Sequence, residues 1–240
     1  MIESTTTTEI RLLATPDELS AADDLLRDIW GAPEPVVSLE ILTAIAHGGG
    51  YVAGAFDGKR LVGASVGFLS RHRDRPALHS HVTGLLPDRR GAGMGRRLKL
   101  HQRDWAAERD IAWITWTFDP LVRTNAWFNI AVLGVEVDEY LPAFYGDMTD
   151  AINAGDESDR LHVAWDVTAD LPARPRDGRD VVEPLLVPTP ADIVALRGTD
   201  PDEVRRWRID TRTALTAAIA AGRPIVAFDR AGNYVIGPPP

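Results

Sequence analysis

Residues 82–98 have the sequence VTGLLPDRRGAGMGRRL, and this stretch decides the fold of the chain. Apolar residues before the glycines predict a strand, and apolar residues at helical spacing after them predict a helix. The alternate glycines Gly91, Gly93 and Gly95 lack side chains, so a ligand can approach the backbone closely. Because N–H groups and the dipole at a helix start attract anions, the stretch predicts an anion-binding turn.

Four arginines flank these glycines, two before them and two after them: Arg89, Arg90, Arg96 and Arg97. A guanidinium group can bind two phosphate oxygens at once, so a pyrophosphate is the ligand that the turn predicts. The alternative is a flexible turn with solvated arginines. A Rossmann fingerprint would need glycine in place of Arg96, and a P-loop would need a Gly-Lys-Ser/Thr ending, which is absent.

Elements on both sides of the turn predict one mixed sheet. The capping pattern at Thr15-Pro16-Asp17-Glu18 predicts a helix start, and Asp57-Gly58 predicts a hairpin turn. Two strands bridged by the helix after the glycines predict a central βαβ unit. We therefore expect an α/β (α+β) fold with helices flanking the sheet. The predicted elements are Glu9–Ala14, Thr15–Trp30, Ser38–His47, Tyr51–Phe56, Arg60–Leu69, Leu78–Leu86, Met94–Trp105, Ile111–Phe118 and Asn125–Val132.

A proline-rich, charged connection, Thr168 to Asp180, precedes the last part of the chain. We expect residues 1–170 to form one domain and residues 171–240 to form an α/β extension packed on it, because so short a segment buries too little surface to be stable alone. The elements predicted there are a strand over Val181–Val187, a helix from Asp200 to Gly222, and a hairpin of Pro224–Phe228 and Tyr234–Ile236.

Composition narrows the classes of function. The net charge of -9 opposes a broad electrostatic contact with nucleic acid. The absence of cysteine excludes disulfides and thiolate metal sites. The first residues lack the pattern of a secretory signal, and no apolar run reaches the length of about 18 residues that spans a membrane. These features predict a cytoplasmic protein with no membrane contact.

The stretch 82–98 closely resembles motif A of the GNAT superfamily of acyl-CoA N-acyltransferases, in which glutamine or arginine is followed by two residues, glycine, one residue, and glycine or alanine. Arg90, Gly93 and Gly95 occupy these places. The resemblance implies a GNAT-like, mostly antiparallel sheet and acetyl-CoA, or another acyl-CoA, as co-substrate. The implied contacts with CoA are Val82, Thr83, Gly84, Leu85, Arg90, Gly91, Ala92, Gly93, Met94, Gly95, Arg96, Asn125 and Phe128.

A second segment, residues 116–148, strengthens the resemblance, which extends to a bacterial subgroup of the superfamily. Its sequence is WTFDPLVRTNAWFNIAVLGVEVDEYLPAFYGDM. Asn125 and Phe128 fit the helix that follows the fifth strand in GNAT proteins. Asn129 stands about where many members have a tyrosine that protonates the leaving sulfur, so that role has to move elsewhere or is absent.

His79 is the candidate general base, because an unperturbed imidazole titrates near neutral pH and some GNAT enzymes place a base on this strand. Strand alternation places His79, His81 and Thr83 on one face. The alternative is that both histidines are polar fillers of the sheet surface. A metal site is not expected, since no third ligand has a recognisable spacing.

Tyr145 is the candidate acid for the leaving thiolate, with Tyr140 as its rival; each has packing as its alternative role. Asp119 could position an amine or cap the turn before Pro120. Arg71, Arg73 and Arg75 are interpreted as a solvated charge run, and the alternative is that their loop borders the acceptor site. Trp207, Arg208 and Arg212 are interpreted as packing and surface charge of the last helix.

The sequence therefore predicts an N-acyltransferase, with acetyl as the first acyl group to test, acting on an amine of a small molecule or peptide. The alternatives are an acyl-CoA-binding sensor or regulator without turnover, and a protein-interaction scaffold. A homodimer is compatible with the sequence, which does not reveal the oligomeric state.

Overall fold

The computed structural model describes residues 8–91, 93–146, 148, 150 and 155–239. The chain divides into two compact units, residues 1–114 and 115–240. Among the described residues, seven strands form a mostly antiparallel sheet in the order β1-β2-β3-β4-β5-β7-β6, and three more form a sheet in the order β8-β10-β9. Within the same ranges, no helix is long and apolar enough to cross a membrane. The predicted mixed, mostly antiparallel sheet with flanking helices is confirmed.

The described residues of the first unit form four antiparallel strands, three α-helices and the start of a fifth strand. The hairpin predicted at Asp57-Gly58 is confirmed, and Gly58 has the positive φ of +60° that such a turn requires. Its elements are β1 (Thr8–Leu12), α1 (Pro16–Trp30), α2 (Leu39–His47), β2 (Tyr51–Asp57), β3 (Arg60–His72), β4 (Arg75–Leu85), a 3₁₀ turn (Pro87–Arg89), α3 (Met94–Ala107) and β5 (Trp113–Phe118), whose last four residues belong to the second unit.

Helix α1 begins where its capping pattern predicts. The Glu18 N–H donates to Thr15 Oγ1 at 3.3 Å, and the Thr15 N–H donates back to Glu18 Oε2 at 3.2 Å. The helix buries Leu19 and Leu26 against the sheet, in an apolar cluster that includes Val66. This packing holds one face of β3 and β4 in place.

Helix α3 is fastened to β3 and β4 by a buried polar network. Lys99, only 5% exposed, donates to Ser80 Oγ at 2.9 Å and to Gln102 Oε1 at 3.3 Å. Gln102 in turn donates to Ser65 Oγ at 3.4 Å, and the hydroxyls of Ser65 and Thr83 lie 2.8 Å apart. Burial lowers the pKa of Lys99 to about 7, because a charged ammonium group loses its hydration there.

The second unit holds the rest of the chain. The last helix begins as predicted, with Asp200 Oδ1 accepting from the Glu203 N–H at 2.9 Å. The strand predicted over Val181–Val187 is shorter and later, because Glu183 has a positive φ of 47° and Pro184 follows it. The elements after β5 are α4 (Arg123–Ala126), a π-helix (Trp127–Leu133), β6 (Glu136–Leu141), β7 (Arg160–Asp166), β8 (Leu185–Pro188), α5 (Ile193–Arg197), α6 (Pro201–Ala220), β9 (Ile225–Phe228) and β10 (Asn233–Ile236).

Residues on both sides of position 170 belong to this second unit. The Arg176 N–H donates to the Ala131 carbonyl at 2.9 Å, and the Tyr234 hydroxyl donates to the Pro120 carbonyl at 2.6 Å. Helix α6 also packs against β6. The segment 171–240 is thus attached to residues 115–170, while a domain boundary at residue 170 stays a prediction.

A buried ionic cluster binds α5 and α6 to Asp119 and Asp156. Arg208 belongs to this cluster, so its interpretation as surface charge is wrong. Arg208 is 1% exposed and donates to Asp119 Oδ1 at 2.8 Å and to Asp119 Oδ2 at 3.2 Å. Arg208 and Arg197 also bind Asp156. Burial by itself would raise the pKa of Asp119, but Arg208 and Arg197 outweigh burial and hold that pKa below its usual range. The predicted packing of Trp207 is confirmed, beside Leu121 and Val204.

Substituting Arg208→Met should leave Asp119 and Asp156 buried with too little positive charge. Removing one partner of a buried ion pair costs roughly 3–5 kcal/mol, so we expect a loss of that order in the free energy of unfolding, measured by urea denaturation. Arg205→Met, at an exposed position on the same helix, should change it by less than about 0.5 kcal/mol. Equal stability of the two variants would contradict the role of the cluster.

The lowered pKa of Lys99 predicts a pH-dependent stability. Between the folded pKa of about 7 and the unfolded value of about 10.4, the unfolded chain binds a proton that the folded chain lacks. This lysine's contribution to stability therefore rises with pH across that window and is constant below it. From pH 7.5 to 9.5, wild type should gain roughly 2 kcal/mol over Lys99→Met in urea denaturation.

The chain's only other lysine, Lys59, is exposed and serves as the control. The difference between wild type and Lys59→Met should stay constant over the same pH range. A difference between wild type and Lys99→Met that does not change with pH would show that Lys99 is charged when buried.

Candidate functional site

The glycine-rich turn joins β4 to α3 in the first unit. After the 3₁₀ turn, Arg90 has extended backbone, with φ −74° and ψ 153°, and Gly91 and Gly93 have positive φ of 83° and 77°. A Cβ atom at either glycine would meet nothing within 4 Å. The glycines thus supply both the left-handed backbone and open space beside it. Ala92, predicted to contact CoA, lies outside the described residues.

Helix α3 begins at this turn, with Gly93 as its N-cap. Gly93 has no side chain to accept from the first-turn N–H groups, and the first helical bond runs from Arg97 N to Gly93 O at 3.1 Å. The first N–H groups of a helix have no partner within the helix, and they point along its axis. A helix of 14 residues with such a start can receive an anion from the direction of the turn.

The four arginines of the turn have different partners. Arg89 forms an ion pair with Asp57, and Arg97 donates to the Thr8 carbonyl at 2.8 Å. Arg90 donates through Nε to the Leu85 carbonyl at 3.2 Å but keeps an exposed surface, as does Arg96. Because Arg97 is bound to the Thr8 carbonyl, these contacts favour Arg96 over Arg97 as the side chain that binds a phosphate group of a ligand.

Side chains at the end of β4 are committed to packing and internal hydrogen bonds. Val82 belongs to the apolar cluster under α1, and Leu85 packs near Met94. Gly84 lets α1 approach, since a Cβ there would lie 2.5 Å from the Trp30 ring. A ligand running along this part of the strand would therefore meet backbone groups of the strand.

A β-bulge on β4 changes which residues share a face. Val66 pairs with Val82, but Gly67 pairs with Ser80, so His81 is the extra residue. The Phe68 ring lies 5.1 Å from the His79 ring and 6.0 Å from the His81 ring, which groups the two histidines. Thr83 pairs instead with Ser65, on the opposite face with the Lys99 network. The expectation that Thr83 shares the face of the histidines is wrong, because the bulge interrupts the alternation.

The two histidines differ in their surroundings. His79 is half-buried and pairs directly with Phe68 across the sheet. His81 keeps an exposed surface, but desolvation by its neighbours lowers its pKa. Desolvation thus disfavours His81 as a base, and His79 stays the candidate general base that the sequence predicts.

Tyr145 lies on the turn after β6, in the second unit, and is 40% exposed. Its hydroxyl lies 3.1 Å from the Thr117 hydroxyl, and the Arg160 guanidinium lies 5.3 Å from the centre of its ring. An exposed phenol with a hydroxyl partner and a nearby cation can donate a proton to an anion. This environment suits the predicted role of Tyr145.

Two rival candidates have structural roles instead. The buried Tyr140 hydroxyl donates to Asp159 Oδ2 at 2.6 Å; burial and this carboxylate raise its pKa far above the usual value. Asp119 accepts from the Leu121 N–H at 2.9 Å and from Arg208, so it caps the turn and belongs to the ionic cluster. A strongly raised pKa disfavours Tyr140 as a proton donor, and a buried, fully bonded Asp119 has no lone pair left for an amine.

The helix predicted over Asn125–Val132 is α4 followed by a π-helix. Asn125 is exposed on α4, and Phe128 is half-buried in the π-helix. Asn129 is buried, and its Oδ1 accepts from Trp116 Nε1 at 3.2 Å. An amide in this position has no acidic proton to give, so this helix does not supply the acid. π-helical turns are frequent at functional sites.

The charge run Arg71, Arg73 and Arg75 belongs to a tight turn between β3 and β4. Arg71 donates to the Asp74 carbonyl at 2.7 Å, and the Arg73 guanidinium lies 4.7 Å from the centre of the Trp113 ring. Both Arg73 and Asp74 have positive φ. The contacts are local to the turn, in line with the solvated charge run that the sequence predicts.

Several solved structures similar to this chain are acetyltransferases. The aminoglycoside 6'-acetyltransferase type Ii is 17% identical, with a TM-score of 0.52 over 68% of this chain and 99% of its own. A Desulfovibrio desulfuricans protein assigned to the GNAT family of acetyltransferases is 13% identical, with a TM-score of 0.52 over 68% and 100%. Arabidopsis thaliana Naa50, bound to a bisubstrate analogue of CoA and a peptide, is 16% identical, with a TM-score of 0.51 over 65% and 97%.

The sequence itself matches no protein-family model and no curated protein. At such low identity the similarity concerns the backbone alone, and it covers about two thirds of the chain. The strand order, the turn before α3 and these similarities agree: the chain has the fold of the GNAT acetyltransferases.

Proposed function

We propose that this chain is an acyl-CoA-dependent N-acyltransferase that binds the pyrophosphate of CoA at the turn Arg90–Gly95. The observation that carries the proposal is the pair of glycines with positive φ and open space, placed directly before the first turn of α3. The exposed Arg90 and Arg96 add positive charge at the same end of the helix. Backbone donors, a helix dipole and arginine together suit a diphosphate.

The similar structures support acyl-CoA as co-substrate. Naa50 is bound to an analogue that joins CoA, an acetyl group and a peptide, and another similar structure, FeeM, is an N-acyl amino acid synthase. The aminoglycoside acetyltransferase acts on an amine of a small molecule. We infer that the acceptor here is an amine of a small molecule or peptide and that acetyl is the first acyl group to test.

The proposed reaction is direct attack of the amine on the thioester in a ternary complex. A C–N bond forms, the C–S bond breaks, and the sulfur leaves with the bonding electron pair. His79 removes a proton from the attacking nitrogen, and Tyr145 gives a proton to the thiolate; water then restores both groups. An acyl-cysteine intermediate cannot form, because the chain has no cysteine.

General base catalysis matters most for an alkylamine acceptor. With a pKa near 10.4, such an amine is neutral in only about one molecule in a few thousand at pH 7. An α-amino group has a pKa near 8 and needs much less help. The half-burial of His79 and its position on the strand that leads to the turn support it as the group that supplies this help.

A sensor that binds acyl-CoA without turnover is the second candidate, and Asn129 favours it. This residue stands where many GNAT enzymes have the tyrosine acid, and its side chain is held by Trp116. Thiol release from acetyl-CoA with a panel of amines separates the two functions: release identifies a catalyst, and tight CoA binding without release identifies a sensor.

Gly93→Val should weaken CoA binding by at least about tenfold, since a branched side chain would fill the space beside the backbone donors. The dissociation constant is measured by calorimetric titration of folded protein. Gly49→Val is the matched control, because Gly49 also has a positive φ, 82°, with nothing within 4 Å of a Cβ, and lies after α2, away from the turn. Equal CoA affinity of the two folded variants would refute the assignment of the turn.

His79→Gln should lower kcat/KM by roughly 10²- to 10⁴-fold with an alkylamine acceptor, the usual contribution of a general base. In wild type, kcat/KM should fall as pH drops through the pKa of His79, because protonated imidazole cannot accept a proton. The variant should lose this limb of the pH profile, while its affinity for CoA stays within about twofold, since the CoA contacts are elsewhere.

His81→Gln is the control for the choice of base. Because the pKa of His81 is lowered, any fall in kcat/KM that His81 controls would occur at lower pH than for an unperturbed histidine. If His81→Gln removes the limb and His79→Gln keeps full activity, the roles of the two histidines are reversed. If neither substitution changes the profile, the acceptor is an amine that needs no base.

A further inference from the structure

The turn that carries Tyr145 is held by the two residues that precede β7. The Ala143 N–H donates to Asp159 Oδ1 at 2.9 Å, the Phe144 N–H to the Ser158 carbonyl at 3.1 Å, and the Tyr145 N–H to Ser158 Oγ at 3.0 Å. Ser158 Oγ donates in turn to the Gly146 carbonyl at 2.7 Å. Three consecutive amides thus depend on Ser158 and Asp159.

This turn needs such support because its backbone is strained. Ala143 has a positive φ of 46°, a conformation that costs a residue with a side chain of the order of 1 kcal/mol or more. The hydrogen bond from its N–H to Asp159 holds it there. Loss of that bond would let the turn relax. The side chain of Tyr145, which stands two residues after Ala143, would then change its position.

Asp159 is completely buried, so its carboxylate requires a cation. Arg212 of α6 supplies this cation with two parallel hydrogen bonds, Nε to Oδ2 at 2.8 Å and Nη2 to Oδ1 at 2.7 Å. The Tyr140 hydroxyl and the Ala143 N–H fill the remaining sites on the two oxygens. Glu157 binds the outer side of Arg212. Arg212, assigned to the helix surface from sequence, is therefore the counter-charge of a buried carboxylate.

We propose that Arg212 is a positioning residue: by pairing with Asp159 it fixes the turn 142–146 and so sets the direction in which Tyr145 donates its proton. The inference rests on the proposed function, in which Tyr145 protonates the leaving thiolate. The proposal gives α6 of the C-terminal segment a role in the reaction. The helix acts on Tyr145 through Asp159 and the turn.

The first readout is independent of activity. In Arg212→Met, the amides of Ala143, Phe144 and Tyr145 should exchange with solvent at least about tenfold faster, because the charged bonds that hold Asp159 are lost. The control is Arg206→Met, which removes an exposed arginine that is paired with Glu203 on the same helix. That variant should leave exchange in the turn unchanged. Unchanged exchange in Arg212→Met overturns the proposal.

The second readout is catalytic. Arg212→Met should lower kcat by roughly tenfold or more, while KM for acyl-CoA and for the amine stays within about twofold. In a Tyr145→Phe background the same substitution should have almost no further effect, because the acid that it positions is already gone. An equal loss of kcat in both backgrounds would show a purely structural role and overturns the proposal.

A compensating variant guards against simple misfolding. Asp159→Asn combined with Arg212→Met removes the unpaired charge but keeps an oxygen that can accept from the Ala143 N–H. The double variant should recover slow exchange and most of the lost kcat. Failure to recover either one overturns the proposal. If wild type releases no thiol with any amine, the proposed function fails, and the exchange rates still decide whether Arg212 orders the turn.

Discussion

Polar and charged groups that have been taken out of water need hydrogen-bonding or ionic partners, and this constraint sets the position of several elements in each unit. In the first unit, Lys99 reaches Ser80 and Gln102, so α3 is held against the strand that carries both histidines. In the second unit, Asp119 and Asp159 require cations that α5 and α6 supply. Apolar packing alone would tolerate small shifts of these helices, but a bidentate ion pair does not. Residues far apart in sequence are thereby held in one geometry.

The glycine-rich turn meets the opposite requirement. For the proposed function, its backbone N–H groups and arginines have to stay accessible to a ligand and not be buried. Gly91 and Gly93 keep the backbone accessible, and the helix behind them orients its N–H groups. Such a turn is stable only where neighbouring elements hold its two ends. Arg89 is tied to Asp57 at one end, and Met94 is buried at the other, so the open part is confined to a few residues. If the turn binds CoA as proposed, its pre-formed backbone would lose little conformational entropy on binding the diphosphate.

Local signals made much of the fold predictable from sequence. The capping pattern at Thr15, the Asp57-Gly58 turn and the glycines before α3 act within a few residues, and the structure contains each of them. Strands β6 and β7 and helix α5 were not predicted. Charged residues interrupt the apolar pattern of β6, and α5 has only five residues. The burial of Arg208 and the bulge at His81 depend on partners distant in sequence. For the site, the sequence predicted the turn and the candidate residues. It could not show which of these side chains are already bound in internal hydrogen bonds and ion pairs, as Asp119 and Tyr140 are.

The proposed acid, Tyr145, lies on a turn and not on a helix, which changes how its side chain is oriented. A tyrosine on the helix after β5 would be oriented by the regular backbone of that helix, whereas Asn129 occupies that place here and is bound to Trp116. Tyr145 lacks a regular helical backbone to orient it. The turn around it contains the strained Ala143, and the amides of the turn donate to Ser158 and Asp159. The orientation of Tyr145 must therefore come from tertiary contacts, and Arg212, which pairs with Asp159 through two hydrogen bonds, belongs to α6. In the proposed reaction, the C-terminal helix would therefore be needed for chemistry as well as for stability.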